Sequence, residues 1–247
     1  MTKLTLYQFP ISHFCEKVRW TLDFKDLPYQ TRKLMPGFHI RVIRKLSSSS
    51  SVPLLTHGDQ VVQGSAAITD YLEALQPQPA LTPVTPEQAQ SAIAWEQRLD
   101  AELGPATRVF AYHYLLDRPD ILVPWLTTGL PFYSRWLFRA LFPKIAKVMR
   151  KKIRINAANA DKSRLIIEEL LQEICSVYRC GNYLAGDTFS RADLAACALL
   201  APLFMPAGYG IEWGPLSDFP AEMQAWLQTH QHELDEVAAI YQKHRLN

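Results

Sequence analysis

The sequence predicts an α/β first half followed by an all-α second half. Three observations carry this reading. Strand-like and helix-like runs alternate within about the first 75 residues, which argues for a small sheet covered by helices. A proline-rich stretch, QPQPALTPVTPEQ, then interrupts the chain, and proline both fixes the backbone and stops helices. Beyond it the apolar residues keep a helical period and no convincing strand appears. The boundaries drawn from these signals are a first domain over 1–77, a linker over 78–86 and a helical domain over 87–247.

Residues 3–8 alternate in a short strand-like run and lead into the proline-containing turn FPISHF. Val18 and Leu22, with Trp20 and Phe24 less ideally placed, suggest a helix over 15–26. Pro28 and Tyr29 open a second extended segment that runs to Leu34. The stretch 36–51 ends in five serines, Ser47 to Ser51, which read as a flexible solvated loop. Val52 to Leu55 reads as a strand, His57-Gly58-Asp59 as a turn, and 60–62 as the returning strand of a hairpin. Gln63-Gly64-Ser65 breaks it, and 66–75 forms a helix. In the second half, helical patterns cover 87–117, 131–155 (one helix or a pair), 159–179, 192–203, 220–230 and 233–244.

Composition excludes several classes of function. The 247 residues are 48% hydrophobic and 20% charged, with a formal net charge of +2, and no basic arm of the kind that binds nucleic acid is present. The longest apolar stretches are broken by Arg, Lys or Pro, so no transmembrane span is expected. The N-terminus runs straight into LTLYQF without the layout of a signal peptide, so a cytoplasmic protein is expected. Cys15, Cys175, Cys180 and Cys197 are spaced neither as a disulfide scaffold nor as a zinc site, and fit a reducing compartment.

Three local features of the first half carry chemistry. Ser12 stands at a strand-to-helix turn, where it reads as a helix cap; the same helix end also stabilises a nearby anion such as a thiolate. Val52-Pro53 reads as a turn, or as a cis proline that leaves the backbone of Val52 outward, open to pairing with an extended peptide. Gly64 permits an unusual backbone angle, and Ser65 offers a hydroxyl and an N–H at a helix start, suited to capping or to holding a carboxylate.

Taken together, S-x-x-C-x-K-V-R, K-D-L-P-Y, V-P-L-L and Q-G-S-A-A-I-T-D-Y-L resemble the glutathione transferase superfamily in order and approximate spacing, over about residues 3–75. Ser190 to Asp193 forms an S-x-x-D capping box where that family starts a helix, a structural feature. The resemblance implies a thioredoxin-like domain followed by a helical domain. It also implies glutathione as co-substrate, a hydrophobic electrophile beside it, no cofactor or metal, and a homodimer. By that resemblance Val52 and Pro53 meet the cysteinyl backbone of glutathione. Ser65 holds its γ-glutamyl carboxylate, Gln63 the neighbouring amine, and His39, Arg41 and Lys45 are candidates for the glycyl carboxylate.

Ser12 falls seven residues before Arg19, the offset of the active serine in serine-type transferases, which implies a hydrogen bond from its hydroxyl to the glutathione sulfur. Cys15 occupies the second position of a C-x-x-C motif whose first cysteine is Ser12, so a mixed disulfide at Cys15 remains an alternative. Three readings stand. The first is an enzyme that conjugates the glutathione thiolate to a hydrophobic electrophile, or uses it as a reductant. The second is a Cys15-dependent thiol-disulfide oxidoreductase, and the third a binding or scaffold protein without chemistry. The basic aromatic stretch 131–155 reads as amphipathic helix with a solvated face, or as a surface for membranes or anionic hydrophobic substrates. Trp95, Tyr112 and His113 read as packing or as the lining of a co-substrate pocket.

Overall fold

A computed structural model describes residues 3–245; Met1, Thr2, Leu246 and Asn247, the outer ends of the two expected domains, lie outside the described residues. The first half contains β1 (Leu4–Gln8), α1 (His13–Phe24), β2 (Tyr29–Lys33), α2 (His39–Ile43), β3 (Leu54–His57), β4 (Gln60–Gln63) and α3 (Ser65–Leu75). The strands form one sheet in the order β2-β1-β3-β4, with β1 parallel to β2 and antiparallel to β3. Leu4, Leu6 and Leu55 of the sheet pack against Val18 and Leu22 of α1 and Ile68 and Leu72 of α3. Tyr7 and Leu54 face the other way, towards Leu34 and Ile43. That alternation along β1 is the two-residue period of a strand buried on both faces. The arrangement is the thioredoxin-like unit that the sequence leads one to expect. Elements begin or end one or two residues from the expected limits: α1 starts at His13, β3 at Leu54 and α3 at Ser65.

The second half contains α4 (Pro86–Ala101), α5 (Leu103–Leu115), α6 (Pro119–Leu126), α7 (Tyr133–Ile153), α8 (Ala157–Arg179), α9 (Arg191–Phe204), α10 (Ala221–Thr229) and α11 (Gln231–Arg245). The helical pattern over 87–117 forms two helices, broken at Glu102. Pro105 has no N–H for the Ala101 carbonyl, so the hydrogen-bond ladder cannot run through this point. Gly104 uses the break, because any side chain there would collide with the ring of Phe14 on α1. The stretch 131–155 forms one helix, α7, rather than a pair, with Pro143 inside it. The capping box at the start of α9 forms as expected: the Ser190 N–H donates to Asp193 at 3.0 Å, and the Leu184 N–H donates to the same carboxylate at 2.9 Å. Among the described residues no helix is long and apolar enough to cross a membrane.

The two halves meet along α1, whose residues Cys15 to Leu22 are all buried. Lys17 reaches Glu96 at 2.9 Å and Asp100 at 2.7 Å on α4, and Glu96 also pairs with Arg191 of α9 at 2.5 Å. On another side Glu16 takes Arg19 at 2.6 Å, Arg245 at 2.9 Å and the Tyr241 hydroxyl at 2.7 Å. Burial works to raise the pKa of Glu16, but Arg19 and Arg245 bring it below the usual carboxylate range. Removing one member of such a group strands the others in a dry interior. Glu16→Gln, which keeps shape and loses charge, is expected to lower the unfolding free energy by about 3 kcal/mol in urea titration. A loss under about 1 kcal/mol would mean that the charges are incidental.

Candidate active site

β1 ends at Gln8, and the chain turns through Phe9, Pro10 and Ile11 into α1. Each carbonyl of that turn has a partner. The Ser12 N–H donates to the Phe9 carbonyl at 3.0 Å, Arg19 donates to Pro10 at 3.1 Å, and the Tyr209 hydroxyl donates to Ile11 at 3.0 Å. Arg19 also bonds Gln8 and lies over the Tyr209 ring. The turn is thereby set by α1 itself and by a tyrosine from the far end of the sequence.

Ser12 caps α1, its Oγ accepting the Cys15 N–H at 3.3 Å. A hydroxyl that accepts in this way keeps its own proton to donate. Ser12 is half-buried and lines a cavity of about 500 Å³ between the two halves. Its walls are apolar: Ile11 and Phe14 come from the first half, and Leu115, Leu122, Trp125 and Met149 from the second. His39, Ser51 and Val52 complete the rim. The volume falls within the range of small-molecule sites.

The sheet register explains why the other expected residues gather near this turn. Tyr7 pairs with Leu54, and Leu54 with Gln63, which places Val52-Pro53 and Gly64-Ser65 beside the end of β1. The Gly64 N–H donates to the Pro53 carbonyl at 3.0 Å. The Val52-Pro53 bond is cis, and the main-chain groups of Val52 pair with no other main-chain group among the described residues. Gly64 has φ +97°, a conformation that glycine adopts without penalty, and it delivers Ser65 to the first turn of α3. Ser65 is buried and makes no side-chain hydrogen bond among the described residues, so its hydroxyl and the helix end are open to an anion. Pro53, Gln63 and Ser65 flank the cavity rather than line it.

Gln63 differs from expectation. Its Oε1 accepts the Ser47 hydroxyl at 2.6 Å, and its Nε2 donates to the Ser51 carbonyl at 2.7 Å. The serine run is therefore a loop strapped to the end of β4 rather than a free solvated linker. His39 stands at the start of α2 and packs against the turn. Its Nδ1 accepts the Gly37 N–H at 3.0 Å, and its ring packs edge-on against Phe9. Burial and the nearby Lys152 lower its pKa. Lys152, exposed on α7, is a rim cation that the sequence reading did not single out for this place.

Two neighbours of Ser12 are closed off from chemistry. Cys15 is fully buried, and burial raises its thiol pKa despite the Ser12 hydroxyl and Arg19. His13 donates Nε2–H to the Gly104 carbonyl at 3.0 Å, since a carbonyl only accepts. Burial first, then Arg108, lowers its pKa to about 3. Tyr112 lines the cavity, and burial raises its hydroxyl pKa to about 12; Trp95 and His113 do not line it. Among the described residues no group of three or more His, Cys, Asp or Glu is placed to hold a metal.

Comparison with known proteins gives the family. Residues 6–80 match the description "Glutathione S-transferase, N-terminal domain", and residues 130–232 match "Glutathione S-transferase, C-terminal domain". A relative, glutathione S-transferase 1 of Dianthus caryophyllus, is 38% identical over 84 residues, covering 33% of this chain and 38% of that protein. In this relative and two other curated ones, the aligned stretches span from 21% to 56% of their length. Among solved structures, the beta-etherase LigF of Sphingobium sp. strain SYK-6 is similar with a TM-score of 0.64 at 19% identity, over 97% of this chain and 100% of that one. A glutathione S-transferase of Methylobacterium radiotolerans, solved in complex with glutathione sulfonate, has a TM-score of 0.63 at 19% identity, over 98% and 91% of the two chains. The chain belongs to the glutathione transferase superfamily.

Two outcomes follow from the burial around Ser12. Of the four cysteines only Cys180 is exposed, so Ellman's reagent is expected to titrate one thiol promptly in the native protein and the rest on unfolding. Prompt reaction at Cys15, read by peptide mass mapping, would reopen its role as nucleophile. His13 takes up a proton below its ordinary value of 6.5 when unfolded but resists it down to about 3 when folded. Its contribution to stability is therefore present above pH 6.5 and is lost as pH falls towards 3, by about 1.4 kcal/mol per pH unit. Urea melts at descending pH are expected to show that slope, and His13→Asn to flatten it.

Proposed function

We propose that the protein is a glutathione transferase that binds glutathione across the Ser12, Val52 and Ser65 edge and conjugates its thiolate to a hydrophobic electrophile, or uses it as a reductant. The observation that carries this reading is the Ser12 hydroxyl, fixed at the start of α1 with its proton free and facing the apolar cavity. The thiol releases its proton to solvent, and the resulting thiolate accepts a hydrogen bond from Ser12 Oγ beside the positive end of α1. A fall of two units from an ordinary thiol pKa near 8.5 needs only about 2.7 kcal/mol, within reach of one charge-assisted hydrogen bond plus a helix end. The cavity holds the electrophile against the sulfur and keeps water away.

The unpaired main chain of Val52 suits the cysteinyl backbone of glutathione, and Ser65 suits the γ-glutamyl carboxylate. Gln63 is already bonded through both the oxygen and the nitrogen of its amide, so its part is to hold the loop, with one Oε1 lone pair left for the amine. Lys152 and His39 at the rim supply the setting for the glycyl carboxylate. No cofactor or metal enters this reaction. A cytoplasmic homodimer is part of the same proposal and rests on the family. Burial of Cys15 counts against a disulfide-exchange cycle.

Calorimetric titration with glutathione tests the reading first, and absence of heat at millimolar concentration would leave a binding protein without this chemistry. Ser12→Ala is then expected to keep glutathione binding within a few-fold. It is also expected to raise the pKa of the bound thiol by about one to two units and lower kcat/KM at neutral pH by roughly 10- to 100-fold. The ultraviolet absorbance of the thiolate against pH reads the first effect directly. An unchanged thiol titration in Ser12→Ala would remove the serine from the chemistry.

A further inference from the structure

The cavity is apolar, yet its charge is one-sided. No aspartate or glutamate lines it, while Arg108, Lys144 and Lys152 do. The two lysines are exposed and solvated at the rim. Arg108 is different: it is half-buried on α5, makes no ion pair among the described residues, and its Nε is buried without a hydrogen-bond partner. Burial lowers its pKa, the mark of a cation left uncompensated. The adjacent Thr107 is fully buried, lines the same cavity, and its hydroxyl also has no partner. Tyr112, one helical turn from Arg108, is half-buried, lines the same cavity and carries a hydroxyl whose pKa is raised to about 12.

Buried polar groups are ordinarily satisfied, and a desolvated arginine without an acid is costly. Here three neighbouring side chains on one helix offer donors to the same cavity. We propose that Arg108, with Thr107 and Tyr112, is a head-group site for a co-substrate with a carboxylate at the end of an apolar body. A planar guanidinium meets a carboxylate through two parallel hydrogen bonds, which fixes orientation as well as charge. The apolar body then lies along Leu115, Leu122 and Trp125, and the electrophilic atom lies towards Ser12. His13 does not compete for the anion, because it stays neutral and is bonded to Gly104. The substrate class rests on the reading of the cavity as the co-substrate site, whereas the carboxylate preference needs no glutathione.

The test uses the whole protein and a matched pair of probes, 4-phenylbutyrate and 4-phenylbutanol, titrated calorimetrically without glutathione. The carboxylate is expected to bind at least about tenfold tighter than the alcohol. Arg108→Met is expected to abolish that preference while keeping the affinity for the alcohol, and Arg108→Lys to restore part of it. The glutathione titration is expected to be the same in all three proteins. Circular dichroism confirms that the variants fold; removing an unpaired cation leaves no stranded partner. Equal affinity for the two probes in the wild type would overturn the inference. So would a preference that survives in Arg108→Met, or a loss of glutathione binding in that variant, which would assign Arg108 to the thiol site. If glutathione gives no heat while the carboxylate preference and its loss in Arg108→Met are observed, the head-group site stands and the transferase reading fails. Kinetics with ethacrynic acid and its methyl ester extend the test to turnover. The glutathione sulfur adds to the terminal carbon of the enone, the C=C electron pair moves onto the carbonyl, and the enolate takes a proton from water. No group leaves, so a KM advantage of the acid over the ester, lost in Arg108→Met, reads the head group alone.

Discussion

Glu16 and Lys17 are neighbours on α1, and both are withdrawn from water. Glu16 is matched by Arg19 on its own helix together with Arg245 and Tyr241 of the helical half, and Lys17 by Glu96 and Asp100 of that half. Such groups add less net stability than apolar packing of equal volume, and what they add is position. Rotating α1 by even part of a turn would leave several charges unpaired in a dry interior. The helix is thus held at one angle, and the direction in which its first turn points is settled with it.

Everything at the site inherits that direction. The Phe9 to Ser12 turn hangs from the start of α1 and is closed by Arg19, on the same helix, and by Tyr209, from the helical half. α5 approaches α1 closely at the edge of the cavity, where a side chain at Gly104 would meet the Phe14 ring. The walls contributed by α6 and α7 are mostly large and apolar, with Lys144 and Lys152 of α7 as the charged exceptions. A hydroxyl such as that of Ser12 at the edge of an apolar pocket makes hydrogen bonds that count for more than they would in water.

Local chemistry was readable from the amino acids, and long-range chemistry was not. Ser12 as cap, the His57 to Asp59 hairpin and the Ser190 to Asp193 box each depend on residues within a few positions, and all three form. The helix break before Pro105 was equally local, but the strong apolar period on both sides concealed it. Ser47 to Ser51 looked unstructured because the group that orders it, Gln63, lies across a hairpin. Tyr209 contacts Ile11 from 198 positions away, and nothing near either residue announces the other. Arg108 reads as one more surface cation until its surroundings are seen to lack an acid.

The ionic bolt through α1 also has a consequence for traffic. Two halves joined in this way do not swing apart as a clam shell does, since opening would hydrate Glu16, Lys17, Glu96 and Arg191 unequally and break their pairing. Entry and exit therefore belong to the rim: the strapped serine loop and α2 on one side, the basic end of α7 on the other. These are the parts of the wall held by a few amide and hydroxyl bonds rather than by buried charge.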